Sequence, residues 1–589
     1  MSSSKQRKQY SSCDNCHRSR VACNASKRGY QPGDIDWRGS CSRCALKQQA
    51  CTFTWMKNTN KKGLGPEAPK GLEMAHVPEA RLNELDMNAS LESLVKQAFE
   101  PSLALLIDGC PLVKNSSEAR TTSVTDMFRT LDRDLKQEVV SQAPGDGQAP
   151  DRGEAELGNQ IEYFLRTAIK GFAARWAPQI LQSHGGLPTN STEDFVRESW
   201  RAARRDMLKV INRVSYQSVL ALYLFAQTPI PTGIPHDEVM DGIDGLTCLH
   251  TALSQIQRLR ERRSHDHLDE LGSRVEFGSS SPSVVAEQVS SRFLDLETRI
   301  YWTAVVWDTE SSLTSNLRAS LTSGLKGACL EPVWLLVRAF LVGSFLPQSK
   351  DWLISGLEVN DKTAIKILSA ASVANIYLWK TVTSLKEALR EGADETSLFS
   401  TWEATLDALE IYTTSIRPLL RLCERQLHFL NQESRLHWFD LNLKHHLGIL
   451  KMVEALEVAS RSDLLAQITE IRQEAEREIV NVLKFGTESK CVIRTAAATA
   501  HRTRADRLQD CTSSEESVVS MSPWIALIVE SVSLLSKIIH TRYLEKRMQY
   551  DACIYMLRLA ADVLDHLPNY VRCVSEGQDS LQKLREKIA

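Results

Sequence analysis

Six cysteines near the amino terminus have a spacing suited to metal chemistry. They fall as Cys13-x2-Cys16-x6-Cys23 and, seventeen residues later, as Cys41-x2-Cys44-x6-Cys51. The half-pattern C-x2-C-x6-C is therefore repeated with identical internal spacing. Chance rarely produces such a repeat within one short segment, so we treat the six cysteines as one functional set.

The number of cysteines restricts the metal chemistry. Zinc takes four tetrahedral ligands and is well served by thiolate sulfur. Six thiolates are two too many for one ion, while two separate ions would need eight. If two sulfurs bridge, each of two Zn²⁺ ions has two terminal and two shared ligands. Both shells are then closed to water, which predicts a structural site formed by Cys13, Cys16, Cys23, Cys41, Cys44 and Cys51.

A disulfide framework is the alternative use of these cysteines. Disulfides persist in oxidising compartments. The start of the chain, Met1-Ser2-Ser3-Ser4-Lys5, has no apolar core of a signal peptide. We therefore expect metal binding rather than disulfides, and we expect this metal to supply most of the folding free energy of so short a segment.

Around these cysteines the sequence resembles the fungal zinc binuclear cluster transcription factors. The likeness extends over residues 13–23, Cys-Asp-Asn-Cys-His-Arg-Ser-Arg-Val-Ala-Cys. The long gap between the halves and the ending Cys-Thr-Phe-x-Trp at residues 51–55 are similar to the fungal ethanol-regulon activator. The resemblance implies that Cys13 and Cys41 bridge two zinc ions. It also implies that the short helix after Cys16 enters the major groove of DNA and reads a CGG-type triplet, with Arg20 as its basic residue.

The charge distribution favours a nucleic-acid partner for this segment. Residues 1–70 contain fourteen Lys and Arg against four Asp and Glu, a formal charge of +10, whereas the remainder has −12. A basic head on an acidic body is typical of a nucleic-acid-binding module. Most of its cations are expected to contact phosphates or to face water, while Arg20 and Arg18 are candidates for guanine edges. The predicted DNA face comprises Lys5, Arg7, Lys8, Arg18, Arg20, Lys27, Arg28, Arg43 and Lys47.

The length of 589 residues predicts two or three domains rather than one. We assign residues 1–57 to the zinc-cluster DNA-binding domain, 58–158 to a linker with a short helix, and 159–589 to a helical regulatory domain. The short helix carries Leu82, Leu85, Leu91, Leu94, Val95, Ala98 and Phe99 and is expected to end at Pro101. It lacks three sustained heptads, so a packing helix is favoured over a dimer zipper. The sequence does not decide between a monomer and a homodimer on DNA.

The region from residue 159 onward predicts an all-α body. Apolar residues repeat there every three and four positions, and no segment alternates long enough to indicate a strand. Arg299-x2-Trp302 with Asp308 and Ser312 resembles the middle homology region of the same fungal factors. Residues 200–207 and 320–327 resemble the group of the fungal acriflavine sensitivity control protein. These resemblances imply a regulatory helical domain.

Enzymatic patterns are weak in this body. His445 and His446 are neighbours on a helix and point to different faces, which makes a poor metal pair. The segment with His265 and His267 is dense in charge and predicts a solvated loop. The cysteines outside the cluster are isolated, and we find no phosphate loop or nucleophile elbow. We therefore predict that the protein is not an enzyme.

The sequence thus predicts a sequence-specific transcription factor of the RNA polymerase II type, located in the nucleus. Its expected partners are double-stranded DNA, the transcription machinery and, if the body holds a pocket, a small-molecule effector. Its regulon would be metabolic, secondary-metabolite or drug-resistance genes. No run of eighteen apolar residues is present, so no membrane partner is expected. The alternatives are a zinc module that binds protein and a ligand-sensing repressor without strong DNA specificity.

Overall fold

Two units make up the chain, Met1–Val77 and Pro78–Ala589, called here the cysteine unit and the helical unit. The structure is a computed structural model. It describes residues 13–18, 23–25, 39–49, 51–52, 79–113, 123–142, 152–183, 189–276, 284–321, 331–496 and 511–588. The cysteine unit has two short helices, α1 (Asp14–Arg18) and α2 (Ser42–Leu46).

Helices dominate the helical unit, which confirms the predicted all-α class. They are α3 (Glu79–Leu94), α4 (Glu100–Asp108), α5 (Val124–Gln142), α6 (Arg152–Ala173), α7 (Ala177–Ser183), α8 (Thr189–Val210), α9 (Tyr216–Ala226), α10 (His236–Met240), α11 (Gly245–Glu276), α12 (Val284–Ser315), α13 (Pro332–Ala339), α14 (Leu346–Ser355), α15 (Asp361–Glu391), α16 (Glu395–Ile411), α17 (Arg417–Gln426), α18 (Gln432–Val458), α19 (Ser462–Gln467), α20 (Thr469–Glu488), α21 (Val518–Met521), α22 (Ile525–Leu544), α23 (Tyr550–Asp565) and α24 (Arg572–Ile588).

Helices α9, α15 and α18 form the interior of this unit. Each is buried around most of its circumference, as expected for a helix that is apolar on more than one face. Helix α15 packs against α12, α16 and α18, while α9 packs against α6 and α11. No helix in the described part of the chain is both long enough and apolar enough to cross a bilayer.

Two buried carboxylates accept hydrogen bonds from backbone N–H groups, one at the start of α9 and one in the turn after α12. Asp132 on α5 accepts hydrogen bonds from the backbone N–H groups of Tyr216 and Gln217 at 2.7 and 2.9 Å, which caps α9. Asp308 on α12 likewise accepts from the N–H groups of Ser320 and Leu321 at 2.8 and 2.7 Å. These bonds satisfy backbone donors that would otherwise be buried without partners.

The Arg-Trp-Asp-Ser residues of α12 therefore have structural contacts. Besides the bonds of Asp308, the Ser312 hydroxyl donates to the Leu317 carbonyl at 2.6 Å. The Arg299 guanidinium donates to the Ile107 carbonyl at the end of α4, at 3.3 Å. Trp302 is buried edge-to-face against Trp334 at 6.0 Å. Together these contacts hold the turn after α12 and join α12 to α4 and α13.

Part of the predicted linker 58–158 is helical and packed. Leu94 and Phe99 are buried in the core of the helical unit, and Phe128 on α5 is buried there too. This agrees with a packing helix, although the side chains of Leu82 and Leu85 lie outside the described residues. The burial of these apolar side chains stabilises the packing of the described helices of this segment in the core.

The prediction that Pro101 ends the first of these helices is wrong. A π-helical turn, Val95–Phe99, joins α3 to α4, and Pro101 lies in the first turn of α4. The same arrangement recurs at Phe340–Phe345 before Pro347 and at Tyr412–Ile416 before Pro418. Proline lacks an N–H and its ring clashes with the carbonyl four residues earlier. A wider turn at that point lets the helical path continue.

Two strands also depart from the purely helical expectation. Strand β1 (Lys490–Ala496) pairs antiparallel with β2 (Cys511–Ser517), with Val492 opposite Glu515. Cys491 and Ile493 are buried, whereas Val492 between them is exposed on the other face. This alternation covers three residues and faces a polar partner strand, so the sequence carried no readable strand signal.

The close approach of α15 and α18 depends on Gly448. A Cβ atom there would lie 2.5 Å from Nε1 of Trp379, whose indole N–H donates to the Lys444 carbonyl at 3.0 Å. We expect Gly448→Ala to lower the free energy of unfolding by up to about 2 kcal/mol, because overpacking costs ~1–3 kcal/mol and alanine returns ~1 kcal/mol of helix propensity. Denaturant unfolding measures this. Exposed Gly343, with open space around it, is the control, and its alanine variant should not be destabilised.

Candidate metal centre

The six cysteine sulfurs lie together as two groups of four. One group contains Cys13, Cys16, Cys23 and Cys41, and the other contains Cys13, Cys41, Cys44 and Cys51. Within each group the sulfurs lie within 4.8 Å of one another, and Cys13 and Cys41 belong to both. Among the described residues these are the groups suited to hold a metal ion.

The local backbone explains how each half places its cysteines. Helix α1 begins directly after Cys13 and α2 directly after Cys41, so one helical turn brings Cys16 and Cys44 back beside the first cysteine. Cys41 is the N-cap of α2, and its Sγ accepts from the Cys44 N–H at 3.4 Å. The N–H of Cys13 donates to Cys23 Sγ at 3.4 Å, and the N–H of Cys41 donates to Cys51 Sγ at 3.4 Å.

Two sets of hydrogen bonds join the two halves. Each set links the residue after the last cysteine of one half to the residue after the first cysteine of the other. Asn24, which follows Cys23, accepts from the Ser42 N–H at 2.9 Å and donates to the Ser42 hydroxyl at 2.7 Å. Asp14 donates its N–H to the Thr52 carbonyl at 2.7 Å and accepts from the Thr52 hydroxyl at 2.6 Å. Sequence reasoning missed these four residues. Their signal was positional, since each follows the first or last cysteine of a half.

The sulfur separations fit metal coordination and exclude disulfides. Cys13 Sγ lies 3.6 Å from Cys44 Sγ and 3.8 Å from Cys41 Sγ, and Cys16 Sγ lies 3.7 Å from Cys41 Sγ. A disulfide needs about 2.05 Å. Two sulfurs each about 2.3 Å from a tetrahedral zinc ion are separated by about 3.8 Å. All six cysteines are free thiols in the structure.

Burial makes three of these thiols hard to ionise without a cation. It raises the pKa of Cys13 well above its ordinary value, that of Cys16 to about 12 and that of Cys51 to about 11. Burial opposes ionisation of Cys41 too, yet the Cys44 N–H and the surrounding thiols lower its pKa to about 6. A set of buried thiolates therefore needs a compensating positive charge, which a bound metal ion supplies.

Most of the site is buried, and it has little other core. Cys13, Cys16 and Cys41 have no exposed surface and Cys44 is 1% exposed, whereas Cys23 and Cys51 are partly exposed. A metal ion held by four of these sulfurs has a complete tetrahedral shell and no open coordination position. Apart from the cysteines, the buried cluster contains only Ala25 among the described residues. Coordination, rather than apolar packing, can therefore stabilise this unit.

The predicted DNA face is only partly within the described residues. Arg18 at the end of α1 and Lys47 after α2 are exposed, and Arg43 on α2 is partly exposed. The predicted contacts outside the described residues are Lys5, Arg7, Lys8, Arg20, Lys27 and Arg28.

Where the structure describes them, the other histidines and cysteines weighed in the sequence do not form a second centre. His445 and His446 are buried, and the His445 ring stacks on Tyr412 at 3.6 Å. Burial lowers the pKa of His445 and lowers that of His446 to about 3, so both are neutral. Burial of Cys248, Cys423 and Cys553 confirms them as packing residues. Cys329 and the side chains of His265 and His267 lie outside the described residues.

Comparisons with known proteins do not assign this chain to a family. No protein-family model matches it, and no curated protein matches it. A solved structure described as a circular tandem repeat protein with novel repeat topology and enhanced subunit contact surfaces aligns with 85% of this chain and 98% of its own, at 12% identity. Its TM-score is 0.22, too low to support an argument about the fold.

Metal removal should make the cluster cysteines reactive while the buried cysteines of the helical unit stay protected. After treatment of metal-loaded protein with a strong zinc chelator, we expect the six cluster thiols to react rapidly with a thiol reagent, because no apolar core then protects them. Peptide mapping of the labelled sites measures this. Buried Cys423 is the internal control and should stay protected. Unchanged protection of the six thiols after complete metal removal would contradict the coordination model.

Proposed function

We propose that the protein is a DNA-binding transcription regulator whose DNA-binding domain is a zinc binuclear cluster. The observation that carries the proposal is the pair of four-sulfur groups with Cys13 and Cys41 in common. Two tetrahedral ions that share two ligands need such a set, and an isolated four-cysteine site does not. The sulfur separations and the closed burial of the cluster support structural rather than catalytic metal.

In this proposal Cys13 and Cys41 bridge two Zn²⁺ ions. Cys16 and Cys23 complete the shell of one ion, and Cys44 and Cys51 complete the other. The ions supply the positive charge that lets the buried thiols ionise, and thereby hold α1 and α2 in place. The hydrogen bonds between the two halves support the shape of the cluster from outside the coordination shell.

The charge of the first seventy residues supports duplex DNA as the partner. The two half-repeats also differ in a way that favours α1 as the reading helix. Exposed Arg18 at the end of α1 corresponds, in the repeat, to Leu46 on α2, which is 86% exposed. Arginine pairs with guanine in the major groove, whereas leucine has no hydrogen-bonding group for a base edge. Arg20 follows α1 and is the second candidate.

Nuclear localisation, recruitment of transcription machinery and regulation through the helical unit complete the proposal. The domain assignment is residues 1–57 for DNA binding and 159–589 for regulation, and the segment 58–158 between them contributes packed helices to the helical unit as well as the connection. The burial of Leu94 and Phe99 favours a packing role over a dimer zipper for the helix before Pro101. A zinc module that binds protein is the second candidate function, favoured by the exposed Leu46 beside the cluster.

Metal content tests which cysteines bridge. Cys13→Ser should lose both ions, because a shared ligand serves both shells. Cys23→Ser should retain about one ion per chain, since Cys13, Cys41, Cys44 and Cys51 still form a complete set. Elemental analysis of purified full-length protein gives the ratio. Cys573→Ser, in the helical unit, is the control and should match the unaltered protein. Equal metal loss in the first two variants would contradict the bridging assignment.

DNA selection tests the function. Full-length zinc-loaded protein should shift duplexes with a CGG triplet in preference to duplexes with that triplet scrambled. Arg20→Ala should keep its zinc and lose about 1–3 kcal/mol of discrimination at one guanine. Arg558→Ala, an exposed arginine of the helical unit, is the control. Uniform weakening on every duplex would instead make Arg20 a phosphate contact, and a zinc-loaded protein with no DNA preference would favour the protein-binding candidate.

A further inference from the structure

One helical segment on the surface of the helical unit has an apolar outer face. It runs from residue 332 to 355 through α13, the π-helical turn Phe340–Phe345 and α14, and is called here the surface helix. Its inner face packs against α15, α17 and the π-helical turn before α17. The buried side chains of this inner face are Trp334, Val337, Leu341, Phe345 and Ser349. The opposite face is open to solvent, where a polar composition is the usual one.

Large apolar side chains are exposed near both ends of the surface helix. Leu335 and Leu336 in α13 are 48% and 54% exposed, and Leu353 and Ile354 in α14 are 39% and 85% exposed. Single exposed apolar side chains are common on soluble proteins, whereas several of them on one element mark a surface that binds a partner.

The middle of the outer face has small side chains. The exposed residues there are Ala339, Gly343, Ser344 and Pro347. A Cβ atom on Gly343 would have no other atom within 4 Å. Two helices can approach closely where the side chains at their contact are small. The middle of the surface helix therefore suits a crossing point with another helix.

Charge on the outer face is sparse. Between residues 335 and 347 the one charged residue is Arg338, which donates two hydrogen bonds to Asp407 on α16 at 2.8 and 3.0 Å. The Arg338 side chain is still 47% exposed. Asp351 in α14 is exposed too and forms no ion pair among the residues that the structure describes. The neighbouring Lys350 does not face the same direction, because consecutive helical residues point to different sides.

The apolar and small residues are arranged symmetrically about residue 345. Leu336 and Ile354 lie nine positions before and after it, and Gly343 and Pro347 lie two positions before and after it. If a second surface helix runs antiparallel across a two-fold axis at that point, Leu336 of each copy meets Ile354 of the other. The small residues then meet at the centre. Such self-complementarity is the property of an isologous contact between two copies.

The charges have the same symmetry. Arg338 lies seven positions before residue 345, and Asp351 lies six positions after it. In the antiparallel pair these opposite charges come together twice, once on each side of the axis. Opposite charges at matching positions fix the register of an interface and disfavour other partners. The partner that this face fits is therefore a second copy of the chain.

We propose that the outer face of the surface helix binds the same face of a second copy and forms an antiparallel two-fold dimer. The apolar ends cover each other, and each Asp351 gains Arg338 of the other copy as an ion partner. The inference goes beyond DNA binding and depends on the helical unit alone.

Sedimentation equilibrium of the full-length zinc-loaded protein without DNA tests the proposal. We expect a monomer of 66.1 kDa at low concentration and a closed dimer at high concentration. Ile354→Lys should raise the dissociation constant of the dimer at least about tenfold, because it puts two charges into apolar contacts. A protein that stays monomeric, or one that forms an open series of larger species, would overturn the proposal.

A matched variant separates the surface helix from general effects of surface charge. Val458 at the end of α18 is 82% exposed, close to the value for Ile354, and does not belong to the surface helix. Val458→Lys should leave the dissociation constant unchanged. Because both side chains are mostly exposed, neither variant should alter the far-ultraviolet circular dichroism spectrum. Equal weakening of the dimer by the two variants, or by neither, would contradict the assignment of the surface.

Charge reversal tests the antiparallel register. Asp351→Arg should weaken the dimer, since it places two arginines together on each side of the axis. Adding Arg338→Glu to the same chain should restore part of the lost affinity, because the ion pair then forms with exchanged signs. Effects that simply add in the double variant would show that residues 338 and 351 do not meet, and the proposed dimer would be wrong.

Discussion

The cysteine unit depends on sulfur atoms that lie 3.6–3.8 Å apart. Among the described residues, the buried cluster around them contains only Ala25 besides cysteine. Neutral thiols at that separation gain little from one another, and thiolates would repel. A cation resolves both problems, because it stabilises the charged form and draws the sulfurs together. The two halves of the repeat then need only short helices and a few hydrogen bonds, such as those between Asn24 and Ser42, to fix their mutual arrangement.

The helical unit is stabilised in a different way. Its interior helices are buried on most faces, so the burial of apolar surface drives its folding. The buried backbone N–H and C=O groups must then find hydrogen-bond partners within the protein. Carboxylates such as Asp132 and Asp308 satisfy the N–H groups where helices and turns begin. Prolines inside three long helical segments each follow a π-helical turn. The wider turn lets the helix continue past a proline that would otherwise end it.

Some buried polar side-chain atoms in this interior have no hydrogen-bond partner. Trp302 and Trp334 lie in the packed core with unpartnered indole nitrogens, so an unpartnered donor by itself does not mark a site.

Short-range patterns in the sequence identified the six cysteines of the cluster, because the spacing of metal ligands can be read directly. They also identified the all-α class, because apolar residues three and four positions apart define a helical face. They did not reveal that α5, inside the predicted linker, contributes to the core, that a π-helical turn precedes Pro101, or that Cys491 and Ile493 lie in a strand. Those outcomes depend on which surfaces meet. The hydrogen bond from Arg175 to the Pro523 carbonyl is the extreme case, because the two residues are 348 positions apart and no local pattern encodes a contact of that range.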